Sequence, residues 1–282
     1  MPDASWWDAQ YQALAGVDPK ALFGAWAQRS EQAREVLGGR LDVPYGPTPA
    51  ETLDVFMPSS GTPVQEVLVF FHGGFWRGSD KALHRFIAPA FTAAGAAVVL
   101  PNYALCPAVT IGTILEQAAA ALRWVEAQAA AWGSPGPVRI TVAGHSAGGH
   151  LAAMLGVQQA ARVFSLSGLH YLQPLMQVPF LHDDLQLSAE TARAWSPALH
   201  RPAAGTVVHA VVGGAESGEF QRQTRLLREA WGELAVPVVG ICPDAGHFAV
   251  VEALADPAHE VHRACRLLMA RALASVPASS NP

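Results

Sequence analysis

The 282-residue chain has a formal charge of −5 and no run of lysines or arginines, which excludes the basic surface of a nucleic-acid or anionic-membrane binder. Because 51% of the residues are hydrophobic and only 15% are charged, the composition also excludes a disordered tail and indicates a large buried core. An α/β unit of this length commonly forms around one sheet, so residues 1–282 are predicted to be a single domain.

Residues 1–40 are predicted to be helical and amphipathic. Their apolar stripe consists of Trp6, Trp7, Tyr11, Leu14, Leu22, Phe23 and Trp26. Three interpretations stay open: the stripe packs on the body of the protein, helps to roof a binding site, or contacts a second copy in a homodimer.

Beyond residue 50, strand and helix patterns alternate along the chain. The predicted strands are 52–57, 67–71, 96–100, 138–143, 162–166, 207–212 and 236–241. The predicted helices are 83–94, which Pro89 shortens or kinks, 111–132, 147–159 and 257–273. This alternation predicts an α/β protein with a mostly parallel sheet and helices on both faces. Residues 170–200 interrupt the alternation with scattered prolines, so we expect a small cap insertion there.

A serine flanked by glycines follows the strand 138–143 directly, in the sequence Gly-His-Ser-Ala-Gly with the serine at position 146. A serine hydroxyl is a poor nucleophile unless it is held exposed beside a base and oxyanion donors. The glycines permit the sharp strand-to-helix turn of a nucleophile elbow, which is typical of the α/β-hydrolase fold. We therefore predict Ser146 to be a nucleophile; the alternative is a helix-capping serine in a glycine-rich turn.

A second loop, of sequence His-Gly-Gly-Phe-Trp, begins at His72 directly after the strand 67–71. Such a loop can turn backbone N–H groups toward the carbonyl oxygen that the serine attacks. We expect Gly74 and Phe75 to be these oxyanion donors, together with the N–H of Ala147. His72 precedes the nucleophile and is predicted to have a structural hydrogen-bonding role.

The chain order of this fold is nucleophile, acid, base, so the base is sought well beyond the serine. His247 follows the strand 236–241 in a loop and is the predicted base. His209 lies inside a predicted strand, whereas His259 and His262 lie in the last predicted helix, so these three are interpreted as packed or solvated histidines.

The acid is predicted from its position after the strand 207–212. Glu216 lies just past this strand, where its carboxylate can reach Nδ1 of His247 and fix the tautomer of the imidazole. The alternative for Glu216 is a surface carboxylate in a loop. Asp244 is too close to His247 in sequence for an easy approach.

Trp76 and His145 are the predicted substrate-binding residues, and Phe75 is expected to line an acyl or aryl pocket together with Trp76. His182-Asp183-Asp184 has no second ligand cluster, so no metal site is predicted. Gly213-Gly214 lacks the P-loop lysine and the dinucleotide spacing, and no cofactor is predicted.

The partner is predicted to be a small molecule, with no nucleic acid and no membrane involved. The first residues lack the basic and apolar regions of a secretion signal, and no apolar run approaches the ~20 residues that span a bilayer, so we expect a cytoplasmic protein. Cys106, Cys242 and Cys265 lack CxxC spacing and are interpreted as buried thiols in a reducing compartment.

Three stretches, HGGFW from His72, GHSAGGHL around Ser146 and ESGEF from Glu216, together resemble the arylformamidase family, also called kynurenine formamidases. That family lies near the hormone-sensitive-lipase-like esterases. The resemblance implies Ser146 as nucleophile, His247 as base and hydrolysis of an aryl formamide such as N-formyl-L-kynurenine to formate and an aryl amine. Family members carry an aspartate where Ala215-Glu216 falls. A glutamate at this place departs from the family pattern, and the departure affects the geometry of the acid and not its presence.

Two other functions fit the same sequence. A general carboxylesterase for short-chain or aryl esters would use the same residues with a roomier acyl site. A non-catalytic small-molecule receptor is a further alternative, because a fold does not determine a function. The intact nucleophile, base and acid disfavour the receptor, which needs none of them.

Overall fold

The computed structural model describes residues 3–59, 63–129, 131–132, 137–159 and 161–271. Eight strands of these residues form one sheet. They are β1 (Arg40–Pro44), β2 (Thr52–Phe56), β3 (Glu66–Phe71), β4 (Ala97–Pro101), β5 (Arg139–His145), β6 (Arg162–Leu166), β7 (Val207–Gly213) and β8 (Val238–Cys242). The seven predicted strands are confirmed as β2 to β8, with ends within two residues of the observed ones.

The strand order across the sheet is β1-β2-β4-β3-β5-β6-β7-β8. The β1–β2 and β2–β4 pairs are antiparallel, and all pairs from β4–β3 to β7–β8 are parallel. The expected α/β class with a mostly parallel sheet is therefore confirmed. Because β3, β5, β6, β7 and β8 run in one direction, the loops that follow them lie along one edge of the sheet.

Helices cover the sheet between the strands. The α-helices of the described residues are α1 (Ala4–Tyr11), α2 (Pro19–Leu37), α3 (Ala88–Ala93), α4 (Ile111–Ala129), α5 (Ala147–Gln158), α6 (His182–Leu185), α7 (Ala189–Ala194), α8 (Gly218–Ala235), α9 (Ala249–Ala255) and α10 (Glu260–Ala270). The 3₁₀ helices are Lys81–Ile87, Gln173–Gln177, Pro179–Leu181 and Pro197–Leu199. None of the helices that the structure describes is both long and apolar enough to cross a membrane.

Several helical regions differ from the prediction. Residues 1–40 contain two helices and the start of β1, and α4 ends at Ala129, before the predicted end at 132. The segment 83–94 is a 3₁₀ helix followed by the short α3, with Pro89 in the first turn of α3, where its missing N–H costs nothing. The predicted helix 257–273 begins later, at Glu260, and its last two residues lie outside the described part of the chain. α8 was not predicted; it is long and strongly amphipathic, and Gly232 interrupts it near its end.

The alternating side chains of β3 divide the core between the two faces of the sheet. Val67, Val69 and Phe71 belong to one hydrophobic cluster, whereas Leu68 and Phe70 belong to the other. All five side chains are buried. The continuous apolar run of this strand thus reflects helices on both faces, as expected for a central parallel strand.

The N-terminal helices pack on the body of the same chain. The buried Tyr11, at the end of α1, donates its hydroxyl hydrogen bond to Glu219 Oε2 at 2.9 Å, at the start of α8. On α2, Trp26 is buried and donates from Nε1 to Glu252 Oε1 at 2.9 Å, on α9. These contacts bear out the first interpretation of the apolar stripe.

A buried carboxylate connects the first strands to the 3₁₀ helix Lys81–Ile87. Asp54, on β2, is fully buried and accepts a hydrogen bond from the Asp42 N–H at 2.9 Å. Its other partners are Arg85 Nε at 2.7 Å and Lys81 Nζ at 3.2 Å. Removal of Asp54 would leave Arg85 without an acidic partner among the described residues and would leave the buried Lys81 with only the exposed carboxylate of Asp42.

We predict that Asp54→Ala lowers the free energy of unfolding by about 3–5 kcal/mol, since breaking a buried ion pair leaves its partner charge uncompensated. The control is Glu31→Ala, which removes an exposed ion pair with Arg34 and should give no measurable change. Urea unfolding followed by circular dichroism measures both variants. Equal effects of the two substitutions would contradict a stabilising role for the buried cluster.

Candidate active site

Ser146 lies at the turn between β5 and α5, with backbone angles φ 54° and ψ −115°. This strained conformation is enforced by backbone packing that only glycine allows. A Cβ on Gly144 would lie 2.2 Å from the Gly148 carbonyl oxygen, and a Cβ on Gly148 would lie 2.0 Å from the Phe71 carbonyl oxygen. A hydrogen bond from the Ser146 N–H to the Leu166 carbonyl, 2.8 Å long, anchors the turn to β6. The geometry is that of the predicted elbow.

The glycine loop after β3 folds directly against this elbow. A Cβ on Gly73 would lie 3.2 Å from Ser146 Cβ. The next residues form a tight turn, in which the Arg77 N–H donates to the Gly74 carbonyl at 3.0 Å. Both central residues of the turn, Phe75 and Trp76, have positive φ, at 49° and 56°. The two predicted motifs are thus brought together.

The backbone N–H groups predicted to bind an oxyanion are available as donors. Within the described part of the chain, no residue accepts a hydrogen bond from the N–H of Gly74, Phe75 or Ala147. Ala147 is also the first residue of α5, where N–H groups have no intrahelical partner and the helix dipole favours negative charge.

His72 contacts the backbone of the glycine loop, in agreement with the structural hydrogen-bonding role predicted for it. Its ring stacks on Tyr103 with centroids 4.3 Å apart, and its Nδ1 lies 2.8 Å from the Gly73 carbonyl oxygen. The Tyr103 hydroxyl donates to the His72 carbonyl at 2.8 Å. Burial lowers the pKa of the His72 imidazole below its ordinary value, so the ring is a neutral structural group.

His247 and Glu216 form a buried pair at the same edge of the sheet. His247 Nδ1 lies 2.6 Å from Glu216 Oε2. The other oxygen of Glu216, Oε1, accepts hydrogen bonds from Ser167 Oγ at 2.5 Å and from the Gly213 N–H at 2.7 Å. The ring of Phe220 packs on the His247 imidazole with centroids 4.3 Å apart. The carboxylate is therefore fixed by donors on both sides and is not a surface group.

His145 holds the backbone of the base. Its Nε2 donates to the His247 carbonyl oxygen at 2.8 Å, and the two rings lie 4.4 Å apart. Burial holds the pKa of the His145 imidazole well below its ordinary value, with the nearby His247 acting in the same direction. His145 is therefore neutral, and its ring contributes to the wall of the cavity described next.

A cavity of about 420 Å³ opens at this edge, and both Ser146 and His247 line it. The oxyanion-loop residues Gly74 and Phe75 line it as well. The remaining apolar wall consists of Ala13, Leu14, Phe23, Trp26, Leu83, Phe180 and Phe248. Four of these residues come from the N-terminal segment, so this segment forms part of the wall as well as packing on the body. The sequence left this possibility open, and only the apolar stripe pointed to it.

Trp76 does not line the cavity, contrary to the prediction that it binds substrate. Its side chain is fully buried and packs edge-on against His150, with ring centroids 4.9 Å apart. Both residues of the turn have positive φ; the Trp76 indole lies in the core, whereas the neighbouring Phe75 contacts the cavity. Of the residues expected to contact substrate, Phe75 and His145 therefore line the cavity, and Trp76 does not.

The three cysteines are buried and free, as the sequence indicated. In the ranges that the structure describes, no group of three or more His, Cys, Asp or Glu side chains is arranged to hold a metal ion.

Comparison with known proteins identifies the family. The sequence profile of the alpha/beta hydrolase fold matches residues 68–239, which is more than half of the chain. The chain belongs to the alpha/beta-hydrolase-fold family. The kynurenine formamidase of Danio rerio is 29% identical over 252 residues, covering 84% of this hydrolase and 84% of the relative. The family resemblance inferred from the motifs is thereby confirmed.

Two further relatives carry other activities in their names. The carboxylesterase NlhH of Mycobacterium tuberculosis is 35% identical over 136 residues, which cover 48% of this hydrolase and 41% of the relative. The crystal structure of a candidate thioesterase from Silicibacter sp. TM1040 superposes with a TM-score of 0.78 at 34% identity, covering 90% of this chain and 96% of that one. The comparisons support an enzyme of the hydrolase class.

We predict that Gly148→Ala destabilises the hydrolase by about 1–3 kcal/mol and lowers its activity, because the added methyl forces β3 and α5 apart. The control is Gly24→Ala on α2, where a Cβ meets nothing within 4 Å and alanine suits a helix better than glycine. Urea unfolding and hydrolysis of p-nitrophenyl acetate are measured in parallel. A stable, fully active Gly148→Ala enzyme would contradict the close approach.

Proposed function

We propose that this hydrolase cleaves an aryl formamide of the N-formyl-L-kynurenine type through an acyl-serine intermediate. The observation that carries the proposal is the 2.6 Å contact between Glu216 and His247 at a cavity that Ser146 also lines. An acid, a base and an elbow serine converging on one cavity fit a Ser-His-acid triad.

In the first half of the proposed reaction, Ser146 Oγ attacks the formyl carbon and His247 Nε2 accepts the hydroxyl proton. The negative charge that develops on the carbonyl oxygen is stabilised by the N–H groups of Gly74, Phe75 and Ala147. Collapse of the tetrahedral intermediate breaks the C–N bond. His247 returns the proton to the leaving aryl amine, and the formyl group stays on Ser146.

In the second half, water attacks the formyl-serine ester and gives its proton to His247. The second tetrahedral intermediate then releases formate, and the proton returns to Ser146 Oγ. Throughout, Glu216 keeps the His247 Nδ1 protonated and stabilises the imidazolium that forms in each half-reaction. The Glu216 carboxylate is held in place by two further donors, Ser167 Oγ and the Gly213 N–H.

The character of the cavity supports an aryl substrate. Its volume of about 420 Å³ is within the usual range for small-molecule sites, and aromatic side chains form much of its wall. Phe23 packs edge-on against Phe248, with ring centroids 5.5 Å apart, and provides an aromatic surface for a planar leaving group. The similarity to the Danio rerio kynurenine formamidase over 84% of the chain agrees with this substrate class.

The second candidate is a carboxylesterase for short-chain or aryl esters. The 35% identity with the carboxylesterase NlhH favours it, although that similarity covers only 48% of the chain. The chemistry is the same, because ester and activated-amide carbonyls pass through the same type of tetrahedral intermediate. The size of the acyl group distinguishes the two functions, and a methylene group is worth only ~1–3 kcal/mol in an apolar site.

We expect the wild-type enzyme to prefer N-formyl-L-kynurenine to p-nitrophenyl acetate and p-nitrophenyl butyrate, compared by kcat/KM. Ser146→Ala should lower kcat by a factor of roughly 10⁴ or more on every substrate. The control is Ser79→Ala, a serine at the cavity wall to which the mechanism gives no role. A preference for the esters would assign the enzyme to the carboxylesterases. Activity that survives in Ser146→Ala would exclude the serine mechanism itself.

We also expect Glu216→Gln to lower kcat by about 10³- to 10⁴-fold, because an amide stabilises neither the correct tautomer nor the imidazolium. The matched control is Asp244→Asn, which neutralises an exposed carboxylate three residues from the base. This variant should retain wild-type activity. A large loss in Asp244→Asn with little loss in Glu216→Gln would move the role of the acid to Asp244. Thermal unfolding of both variants checks that the fold is intact.

A further inference from the structure

Arg77 is the single permanently charged side chain that lines the cavity. Among the described residues that form the wall, there is no aspartate, glutamate or lysine. The wall also contains two buried histidines whose pKa values are lowered by desolvation: His84, to about 3, and His145, well below the ordinary value. Both are neutral at physiological pH. The permanent charge at the described wall of the cavity is therefore positive.

The guanidinium of Arg77 is held firmly on one side only. Its Nη1 donates to the Phe180 carbonyl at 3.0 Å and also pairs with Asp184 on α6. Its Cζ lies 5.5 Å from the centroid of the Phe180 ring, which also lines the cavity. The Nε and Nη2 groups have no hydrogen-bond acceptor among the residues described. These two donors form the side of the guanidinium that binds a carboxylate in a bidentate manner.

The backbone of Arg77 ties this charge to the oxyanion loop. The Arg77 N–H closes the turn that contains Phe75, through its 3.0 Å bond to the Gly74 carbonyl. The position of the cation is thus set by the same turn that supplies the predicted oxyanion donors. A substrate held by Arg77 at one point and attacked by Ser146 at another would be oriented at two points.

We propose that Arg77 determines specificity by binding a carboxylate of the substrate, and that the preferred substrates are aromatic compounds with a carboxylate beyond the scissile group. The aromatic wall takes the ring, and Nε and Nη2 of Arg77 take the two carboxylate oxygens. The proposal rests on the proposed function only in treating the bound compound as a substrate of Ser146.

Asp184 has a defined part in this proposal. Its carboxylate, about a third exposed, already pairs with Nη1 and competes electrostatically with an incoming anion. Removing its charge should strengthen binding of a substrate carboxylate. If the ion pair were only structural, replacing either partner would harm the enzyme in the same way. The two partners therefore give opposite outcomes if the guanidinium binds substrate.

The test measures binding directly, so that it does not depend on turnover. The probes are 4-oxo-4-phenylbutanoate and its uncharged amide, titrated calorimetrically into the wild-type protein, Arg77→Gln, Arg77→Lys and Asp184→Asn. The wild type should bind the acid roughly 10- to 100-fold more tightly than the amide, as expected for a charge-assisted hydrogen-bonded pair. Arg77→Gln should abolish this difference and leave the Kd of the amide within about twofold. Arg77→Lys should retain part of the preference for the acid over the amide, and Asp184→Asn should increase this preference.

Equal affinity of the wild type for acid and amide would overturn the proposal, as would equal weakening of both probes by Arg77→Gln or weaker acid binding by Asp184→Asn. Kinetics on N-formyl-L-kynurenine separate this result from the proposed function. If the preference for the acid depends on Arg77 but this formamide is not hydrolysed, the formamidase assignment fails and the carboxylate site stands. If the formamide is hydrolysed with an unchanged KM in Arg77→Gln, the function stands and the carboxylate site fails.

Discussion

The site depends on a backbone contact that leaves no room for a side chain. Gly148, in the first turn of α5, approaches the end of β3 so closely that a Cβ would lie 2.0 Å from the Phe71 carbonyl oxygen. This contact places the loop after β3 against the turn after β5, with Gly73 beside Ser146. Ser146 and the N–H groups of the loop follow different strands, and this packing brings them close together. Glycine at position 148 is therefore a requirement of the site as much as of the fold.

The glutamate at position 216 shows how a longer acid is accommodated. The Gly213 N–H and Ser167 Oγ hold one oxygen of Glu216, and the other oxygen reaches His247. Ser167 itself has φ 49° and donates its N–H to the Val211 carbonyl at 2.7 Å, so its hydroxyl is placed by β7. Glutamate has one methylene group more than aspartate. The longer side chain is accommodated because the Glu216 carboxylate lies beside Gly213, at the end of β7, the strand that precedes it in the chain. Glu216 thus reaches His247 Nδ1 at 2.6 Å.

Much of this arrangement was predictable because it follows from strand order. Ser146, Glu216 and His247 follow β5, β7 and β8, and the carboxyl ends of parallel strands share one edge. The position of Trp76 was not predictable, since two successive non-glycine residues at positive φ have no clear sequence pattern. The contribution of the N-terminal segment to the cavity was equally hidden. This contribution depends on long-range contacts such as the one between Tyr11 and Glu219, which lie 208 residues apart in the sequence. Helical periodicity predicts which face of a helix is apolar, but it does not predict which distant residue that face contacts.

The N-terminal segment is held by the element that directly follows Glu216. Ser217 directly follows Glu216, caps α8 and donates its hydroxyl to the Gln10 carbonyl at 2.5 Å. Two residues further on, Glu219 accepts from the Tyr11 hydroxyl, and burial together with this carboxylate raises the pKa of Tyr11 far above its ordinary value, so the phenol stays a donor. The start of α8 therefore directly follows Glu216 and also holds the end of α1. Since the cavity wall begins at the residues that follow Tyr11, and Phe220 of α8 packs on the His247 ring, α8 contacts both the N-terminal part of the wall and His247.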